Sequence, residues 1–376
     1  MTKKGKFAFC LFEYVPYGGM QRDLLRIVEV CLERGHHVDV FARDWQGDLP
    51  DDLNVSILPG RGFTNHGRCE SFAKGLKEFL AQMDYDVIVG FNKMPGLDVY
   101  FEADACFAAK ARERSSWYRL TGRCRSYLRL ERAVFNNRSK TEILLLSKQE
   151  KQVFMDHYGT REDRFHLLPP GITRDRLALD NAEEIRADLR REFAISLDEN
   201  VVLMVGSGFK TKGVDRAIRA VSVLSPELRR KTKLLIVGED KTEKFKRLAK
   251  RWGVADRVFF AGGRRDVPRF LAAADLLLHP SYRENTGTVL IEAMAAGLPV
   301  LTTDVCGYGY HVECAKAGVL VPSPFRQETL NRRLSFMLAS DKKEQWQKNG
   351  MAYIAGTDVF SLPEKAVDII ERVASC

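Results

Sequence analysis

The sequence lacks an apolar run long enough to cross a bilayer, which takes about 18 uninterrupted apolar residues. The basic start and the apolar residues after it resemble a signal peptide, but Glu13 ends the run after about six residues. We interpret this run as a first β-strand. We therefore expect a protein that is soluble or bound peripherally to a membrane.

Paired cysteines and metal-binding spacings are also lacking. The eight cysteines include no Cys-x-x-Cys pair and no Cys/His spacing that matches a zinc site. They are typical of buried thiols in a reducing compartment. The one Asp-x-Asp, from Asp84 to Asp86, precedes the predicted strand 87–90 and therefore lies at the wrong edge of a sheet. The sequence predicts no metal site.

Two nucleotide-binding fingerprints fail. A Walker loop ends in Gly-Lys-Ser/Thr, whereas Lys212 and Gly213 stand in the reverse order. A dinucleotide fingerprint requires a glycine three residues after Gly208, and that position holds Thr211. No Tyr-x-x-x-Lys occurs either. A nucleotide-cofactor oxidoreductase therefore becomes an unfavoured alternative.

Positive charge is concentrated in one segment. The formal net charge is +9, and residues 110–140 contain ten basic and two acidic residues, so the rest of the chain is close to neutral. A nucleic-acid binder usually spreads its charge more widely, whereas one basic segment favours a local anionic contact. We expect no nucleic-acid partner.

Apolar runs alternate with amphipathic segments along the whole chain, a pattern typical of βαβ units. Predicted strands in the first half are Lys6–Phe12, His37–Ala42, Asn54–Leu58, Asp86–Gly90 and Glu142–Ser147. Those in the second half are Val201–Gly206, Lys233–Gly238, Arg257–Ala261, Leu276–His279 and Pro299–Thr302. The pattern predicts an α/β protein with two doubly wound, Rossmann-like domains facing across a cleft.

The domain boundary is predicted at Pro169-Pro170-Gly171, since prolines end a strand and glycine permits a bend. The first domain then covers 1–169 and the second 170–350. The last helical region, 351–376, is expected to cross back to the first domain.

The stretch from His279 to Val300 carries the most informative residues. A predicted strand ends at His279, and a helix begins near Gly287. The backbone N–H groups of Gly287 and Thr288 then lie at a helix N-terminus, which suits a phosphate. Glu292, inside the helix, is placed to accept two hydrogen bonds from vicinal hydroxyls. Glu284, in the turn, is placed for hydroxyls nearer a reacting carbon.

A second glycine-rich turn follows the strand 201–205. Gly206 permits close approach of a phosphate, and Lys212 can neutralise a departing diphosphate. The plain alternative for Lys212 is a solvated lysine at a helix start.

With its His-Pro-Ser lead-in and its AMAAGLPV exit, the 279–300 stretch resembles the EX7E retaining glycosyltransferases of family four, which have the GT-B fold. The spacing of Glu284 and Glu292 matches that motif. The resemblance implies that Lys212 and Arg176 bind the donor phosphates. The chain departs from the family at Asn285-Thr286, where Gly-Phe is usual. Because Thr286 belongs to the sugar-facing wall of the donor site, the motif does not determine which sugar this wall accepts.

The resemblance also implies a role for residues of the first domain. Gly18-Gly19, after the first strand, resembles the glycine loop that lies over the diphosphate from the opposite domain. Asp23, in the following helix, is a weaker candidate for acceptor binding.

Further runs resemble, within that family, the lipopolysaccharide core glucosyltransferases of Gram-negative bacteria; they include GFNKMPGLDVYFEAD (90–104), KGVDRAI (212–218) and TTDVCGYG (302–309). This implies transfer of an α-linked hexose to an inner-core heptose at the cytoplasmic face of the inner membrane. Asn92, Lys93 and Asp104 become candidate acceptor contacts, with Asp104 also a candidate base. A loop carboxylate with structural hydrogen bonds is the alternative for Asp104.

The implied donor is a UDP-sugar, a co-substrate, with no metal or other cofactor. Arg176 and Lys212 would carry the charge of the leaving group. The acceptor would attack on the face from which UDP leaves, and the departing phosphate would take its proton. The donor sugar is glucose by resemblance, with galactose or an N-acetylhexosamine as alternatives.

The basic segment 110–140 predicts contact with an anionic membrane surface. Apolar residues approximate a helical stripe with arginines interleaved around it. The predicted membrane-contacting residues are Trp117, Arg119, Arg123, Arg125 and Arg129. One alternative is a core-packed helix whose arginines are solvated or bind lipopolysaccharide phosphates. Another is a non-catalytic membrane binder.

Overall fold

The computed structural model describes residues 4–16, 18–178 and 181–375. Within them the chain forms two compact units. The first runs through Gly171 and resumes at Ser361, and the second spans Ile172–Phe360.

The described part of the first unit contains a parallel seven-stranded sheet and seven helices. Its strands are β1 (Lys6–Tyr14), β2 (His37–Trp45), β3 (Asn54–Ile57), β4 (Val87–Gly90), β5 (Val99–Glu102), β6 (Glu142–Leu145) and β7 (Phe165–Leu167), in the order β3-β2-β1-β4-β5-β6-β7. Its helices are α1 (Gly19–Glu33), α2 (Asn65–Leu80), α3 (Phe107–Arg112), α4 (Ser116–Leu120), α5 (Gly122–Phe135), α6 (Lys148–Tyr158) and, at the end of the chain, α17 (Leu362–Ala374).

Strand β1 shows why this sheet is covered on both faces. Phe7, Phe9 and Leu11 belong to one apolar cluster, and Ala8 and Cys10 belong to another. Successive side chains of a strand point to opposite faces, so a continuous apolar run requires packing on both sides.

The described part of the second unit contains a parallel six-stranded sheet and ten helices. Its strands are β8 (Asn200–Val205), β9 (Thr232–Val237), β10 (Val258–Gly262), β11 (Leu276–His279), β12 (Val300–Thr303) and β13 (Gly318–Val321), in the order β10-β9-β8-β11-β12-β13. Its helices are α7 (Ala182–Glu192), α8 (Phe209–Lys212), α9 (Val214–Ser222), α10 (Pro226–Arg230), α11 (Glu243–Arg251), α12 (Val267–Ala273), α13 (Thr288–Ala295), α14 (Gly309–Ala315), α15 (Gln327–Ala339) and α16 (Lys343–Ala355).

Both sheets reverse the direction of strand addition once, between β1 and β4 and between β8 and β11. This is the doubly wound, Rossmann-like arrangement, and the predicted fold class is confirmed. The strands β5, β7 and β13 were not predicted from the sequence.

The divisions of the chain differ from the predicted ones. The first falls after Gly171 rather than after residue 169, and the second falls after Phe360 rather than after residue 350. Residues 351–360 stay with the second unit because Ile354 and Val359 are buried in its core, and Val359 O accepts a hydrogen bond from Ile172 N. The chain then returns to the first unit, where α17 packs on α1.

Candidate active site

Two loops meet at the switch point of the second sheet. Strands β8 and β11 are neighbours, and the loops after them, the first of which contains the short helix α8, span 206–213 and 280–287. Open α/β sheets bind ligands outside the carboxyl ends of their strands at such a point. Gly213 has a φ of +79°, and a Cβ there would lie 2.1 Å from the carbonyl oxygen of Pro280. Only glycine lets these two loops approach so closely.

The candidate residues Lys212 and Glu284 form an ion pair across these loops. The same carboxylate oxygen, Oε2, is 3.1 Å from Nε2 of the fully buried His279. Burial by itself raises the pKa of a carboxyl group, but the hydrogen bond from His279 and the charge of Lys212 lower the pKa of Glu284 to about 2. Glu284 is therefore a carboxylate held rigidly beside a cation.

Arg176 and Glu292 form a second charged contact. Nε of Arg176 is 3.8 Å from Oε1 of Glu292, and both residues are buried. Nε and Nη1 of Arg176 make no hydrogen bond to any described residue. A buried guanidinium with unused donors is suited to an anionic ligand.

The N-terminus of α13 lies between the two glutamates. Gly287, its N-cap, has a φ of +83° and supplies no capping side chain. The first N–H groups of the helix, including that of Thr288, therefore have no capping side chain, which is the arrangement that the predicted phosphate site requires. The preceding residue, Thr286, is fixed by its carbonyl oxygen, which accepts a 2.7 Å hydrogen bond from Tyr308 N.

The second unit therefore holds all eight donor-side candidates predicted for it. Seven lie in the two loops and on α13, and Arg176 contacts Glu292 from the preceding 3-10 turn. The eight are Arg176, Gly206, Lys212, Glu284, Thr286, Gly287, Thr288 and Glu292.

Arg216 was missed by the sequence analysis. Its guanidinium carbon lies 3.5 Å from the ring centroids of both Tyr282 and Phe325. Its Nη1 donates to the carbonyl oxygens of Pro280 and Ser281 at 3.1 and 2.9 Å. Arg216 thus ties helix α9, which follows Lys212, to the loop that carries Glu284. No spacing rule marks such a contact between residues 64 or more positions apart.

The loop after β12 was quoted in the resemblance but given no role. Gly307 N donates to Glu284 O at 3.3 Å, and Cys306 pairs with Glu284 as an isolated β-bridge. The Glu284 turn follows β11, which lies between β8 and β12 in the sheet. The loop after β12 therefore holds the backbone of this turn from one side, and the loop that carries Lys212 lies on the other side.

The first unit has a cavity of about 390 Å³ at the ends of its strands, which we call the strand-end cavity. It is lined by the three acceptor candidates that follow β4 and β5: Asn92, Lys93 and Asp104. The Oδ1 of Asn92 accepts a 2.6 Å hydrogen bond from Phe12 N, which fixes the end of β1. Arg43, Lys110 and Arg123 also line the cavity.

The ammonium group of Lys93 is held by the protein itself. It lies 2.5 Å from Oε2 of the fully buried Glu131 and donates to Ala105 O at 3.1 Å. Glu131 also accepts hydrogen bonds from the N–H groups of Phe107 and Ala108 at the start of α3. Burial raises the pKa of a carboxyl group, but the charge of Lys93 makes the net shift of Glu131 downward. Lys93 therefore braces the cavity wall.

The remaining first-unit candidates lie on α1. Gly18 is its N-cap and Gly19 its first residue, directly beyond β1. A Cβ on Gly18 would lie 1.8 Å from Oε1 of Gln21, so a larger residue there would require this side chain, which donates to Glu13 O, to move. Asp23 is buried and pairs with Arg26 at 3.8 Å, and it does not line the strand-end cavity.

Comparisons with known proteins agree with this geometry. The profile described as "Glycosyltransferase Family 4" matches residues 17–176, and "Glycosyl transferases group 1" matches residues 185–352. The chain is 46% identical over 365 residues to the lipopolysaccharide glucosyltransferase WaaG of Escherichia coli K12, covering 96% of this chain and 98% of that protein. It belongs to glycosyltransferase family 4.

Solved structures agree on the fold, and one of them also on the family. A crystal structure of WaaG, described as a glycosyltransferase involved in lipopolysaccharide biosynthesis, superposes with a TM-score of 0.93 at 45% identity and covers 97% of this chain and 99% of that one. Anabaena HepE, in complex with UDP and glucose, superposes with a TM-score of 0.77 at 19% identity and covers 98% of this chain and 100% of that one, which shows the fold alone. This glycosyltransferase therefore has the predicted GT-B fold.

The basic segment of this glycosyltransferase does not form the continuous stripe that the sequence predicted. Thr121 is extended and its hydroxyl caps α5 by accepting from Cys124 N, so the helix breaks between α4 and α5. Cys124 and Val134 are fully buried, whereas Trp117 and Leu120 are 81% and 59% exposed. The apolar residues thus divide between the protein core and the surface. The four arginines predicted to contact the membrane, Arg119, Arg123, Arg125 and Arg129, are all exposed.

Among the described residues, no helix combines the length and apolar character of a membrane span, and no three metal-binding side chains cluster. Asp86 stands before β4, where its carboxylate accepts a 2.7 Å hydrogen bond from Lys6 N.

Proposed function

We propose that this glycosyltransferase transfers glucose from UDP-glucose to an inner-core heptose of lipopolysaccharide, with retention and without a metal ion. The observation that carries the donor assignment is the pair of charged contacts at the β8–β11 switch point, Lys212 with Glu284 and Arg176 with Glu292. The acceptor class and the sugar come from the name of the 46% identical relative.

Each donor-side group has a separate task in this proposal. The N–H groups at the start of α13 bind the donor phosphates, and Glu292 accepts hydrogen bonds from the two ribose hydroxyls. Glu284, already ionised, orients hydroxyls of the sugar. Lys212 and Arg176 stabilise the charge that develops on UDP as the glycosidic bond breaks.

Retention follows in this proposal from attack on the face that UDP leaves. The acceptor hydroxyl approaches the anomeric carbon as the bond to the phosphate oxygen lengthens, and that oxygen receives the hydroxyl proton. Positioning and charge stabilisation supply most of the acceleration. Asp104, which lines the strand-end cavity, is the alternative base.

The deciding experiment measures UDP release from a panel of UDP-sugars with and without heptosylated core acceptor. We expect release from UDP-glucose that depends on the acceptor, with α-linked product by NMR. Faster UDP release from UDP-galactose or a UDP-N-acetylhexosamine would reassign the donor. Either sugar is compatible with the departure from the family at Asn285-Thr286. Thermal shift with UDP, GDP and NAD provides a second check, since a specific ligand raises stability by RT ln(1+[L]/Kd).

We also propose that the enzyme works at the cytoplasmic face of the inner membrane, where its acceptor is anchored. The exposed Trp117 and Leu120 on α4 support this, because apolar side chains flanked by arginines can enter the headgroup region.

A further inference from the structure

Helix α5 separates two cavities of the first unit. Arg123, Tyr127 and Leu130 line the strand-end cavity, and their i, i+4, i+7 spacing places them on one face of the helix. A second cavity of about 520 Å³ lies against the opposite face. Its α5 residues also follow helical spacing: Arg125, Leu128, Arg129 and Arg132.

We call this second cavity the arginine basin. Five of its ten lining residues are arginines, and none of the ten is acidic. The five are Arg112, Arg119, Arg125, Arg129 and Arg132. Like charges around one open cavity repel each other, so an anion bound among them gains more than it would at an isolated arginine.

The fixed parts of the basin are held by hydrogen bonds. Arg125 donates from Nε and Nη2 to Leu120 O, at 3.1 and 2.7 Å. Arg129 pairs with Glu70 at 2.7 Å. The hydroxyl of Tyr158 donates to the buried Glu131 at 2.7 Å, which fixes the aromatic wall.

Two of the arginines have side chains without a hydrogen-bond or ion-pair partner among the described residues. The side chains of Arg112 and Arg132 make no hydrogen bond or ion pair with any residue in the described ranges. Ala108, Ala111 and Leu128 supply apolar surface beside them. A guanidinium presents a planar fork of donors that matches a phosphate, and the cavity volume falls within the range of small-molecule sites.

We propose that the arginine basin binds a phosphate group carried on a sugar of the acceptor, at a subsite distinct from the strand-end cavity that takes the reacting sugar. The assignment of the phosphate to the acceptor rests on the proposed function. The two faces of α5 then bind two parts of one large acceptor: the reacting sugar in the strand-end cavity and the phosphate in the arginine basin.

The first test measures binding of a hexose 6-phosphate by calorimetry at low salt, with the donor site filled by saturating UDP. The double variant Arg112→Gln/Arg132→Gln should bind at least about tenfold more weakly than the parent, on the scale of losing charge-assisted hydrogen bonds. The matched control is Arg114→Gln/Arg138→Gln, which removes two charges from the same segment but lines neither cavity. It should bind like the parent. The unphosphorylated hexose should not bind.

The second test compares transfer to core acceptor before and after phosphatase treatment. We expect the basin variant to raise KM for the phosphorylated acceptor about tenfold with kcat and UDP affinity unchanged, and to leave KM for the treated acceptor as in the parent. If the parent enzyme never releases UDP in the presence of this acceptor, the proposed function is refuted. The hexose 6-phosphate binding assay would still decide whether the arginine basin binds a phosphosugar.

Three results would overturn the proposal. They are absence of hexose 6-phosphate binding in the parent, equal weakening in the basin and control variants, and a basin variant that loses only attachment to phosphatidylglycerol vesicles. The last result would make the basin part of a membrane-facing charged surface.

Discussion

Replacing Lys212 by methionine tests whether a side-chain cation takes the place of a metal. Methionine keeps the length of the side chain and removes the charge that pairs with Glu284. Losing one preorganised stabiliser of developing charge typically costs about a hundredfold or more in rate, or roughly 2.7 kcal/mol. We therefore expect kcat/KM for UDP release to fall at least about a hundredfold.

The same replacement leaves the Glu284 carboxylate without its cation. Side-chain exposures of 22% for Lys212 and 13% for Glu284 put this pair between the surface and the deep interior. We expect a loss of about 1–3 kcal/mol in unfolding free energy, below the 3–5 kcal/mol of a fully buried pair. Adding Glu284→Gln removes the stranded charge. It should recover stability without recovering activity.

The assay is initial-rate UDP release at several donor concentrations, with thermal unfolding of each variant in parallel. Lys246→Met, on the exposed face of α11, is the matched control and should behave as the parent. Parent activity should survive excess EDTA. Full activity of Lys212→Met, or abolition of parent activity by EDTA with rescue by Mn²⁺, would refute the reasoning.

Three further predictions rest on other contacts. Glu292→Ala should weaken UDP binding in calorimetry by about 2–4 kcal/mol with the fold intact, and an unchanged affinity would remove Glu292 from the ribose site. Because the pKa of Glu284 is about 2 in the folded protein and near 4.5 in the unfolded chain, its contribution to stability is present above pH 4.5 and lost as the pH falls towards 2. Acid titration followed by circular dichroism should therefore show a smaller loss for Glu284→Gln, and equal losses would contradict the assignment. Binding to phosphatidylglycerol vesicles should weaken with salt and with neutral lipid, and should be lost when four arginines become glutamine; equal co-sedimentation of that variant and the parent would exclude the segment as the membrane contact. The four are Arg119, Arg123, Arg125 and Arg129.

The parts that the sequence predicted are those governed by local pattern. Continuous apolar runs predicted buried parallel strands because each strand face must be covered, as the two clusters on β1 show. The spacing of Glu284 and Glu292 predicted their placement because a loop turn followed by about one turn of helix fixes both relative to β11. These are short-range relations, so a single sequence is enough to reveal them.

The parts that the sequence missed depend on contacts between distant positions. Lys93 and Glu131 are 38 residues apart, and only the packing of α5 beside the end of β4 makes them a buried pair. From sequence alone Lys93 was a candidate acceptor contact, because a lysine after a strand has the same local pattern whether it is free or paired. Arg216 stacks between two aromatic rings supplied by two other loops, and no periodicity in the sequence predicts this contact.

For the basic segment, composition alone does not distinguish a membrane contact from a phosphate-binding cavity. A stretch with ten basic residues predicts an anionic contact whatever its shape, but the break at Thr121 gives its two helices different surroundings. Trp117 and Leu120 on α4 are exposed with arginines nearby, as a membrane contact requires. Arg112 and Arg132, which lie on α3 and α5, instead line a cavity bounded by α3, α4, α5 and α6. Substitution of Trp117 and Leu120 should therefore weaken vesicle binding alone, and substitution of Arg112 and Arg132 should weaken phosphosugar binding alone, which a single uniform charged surface would not allow.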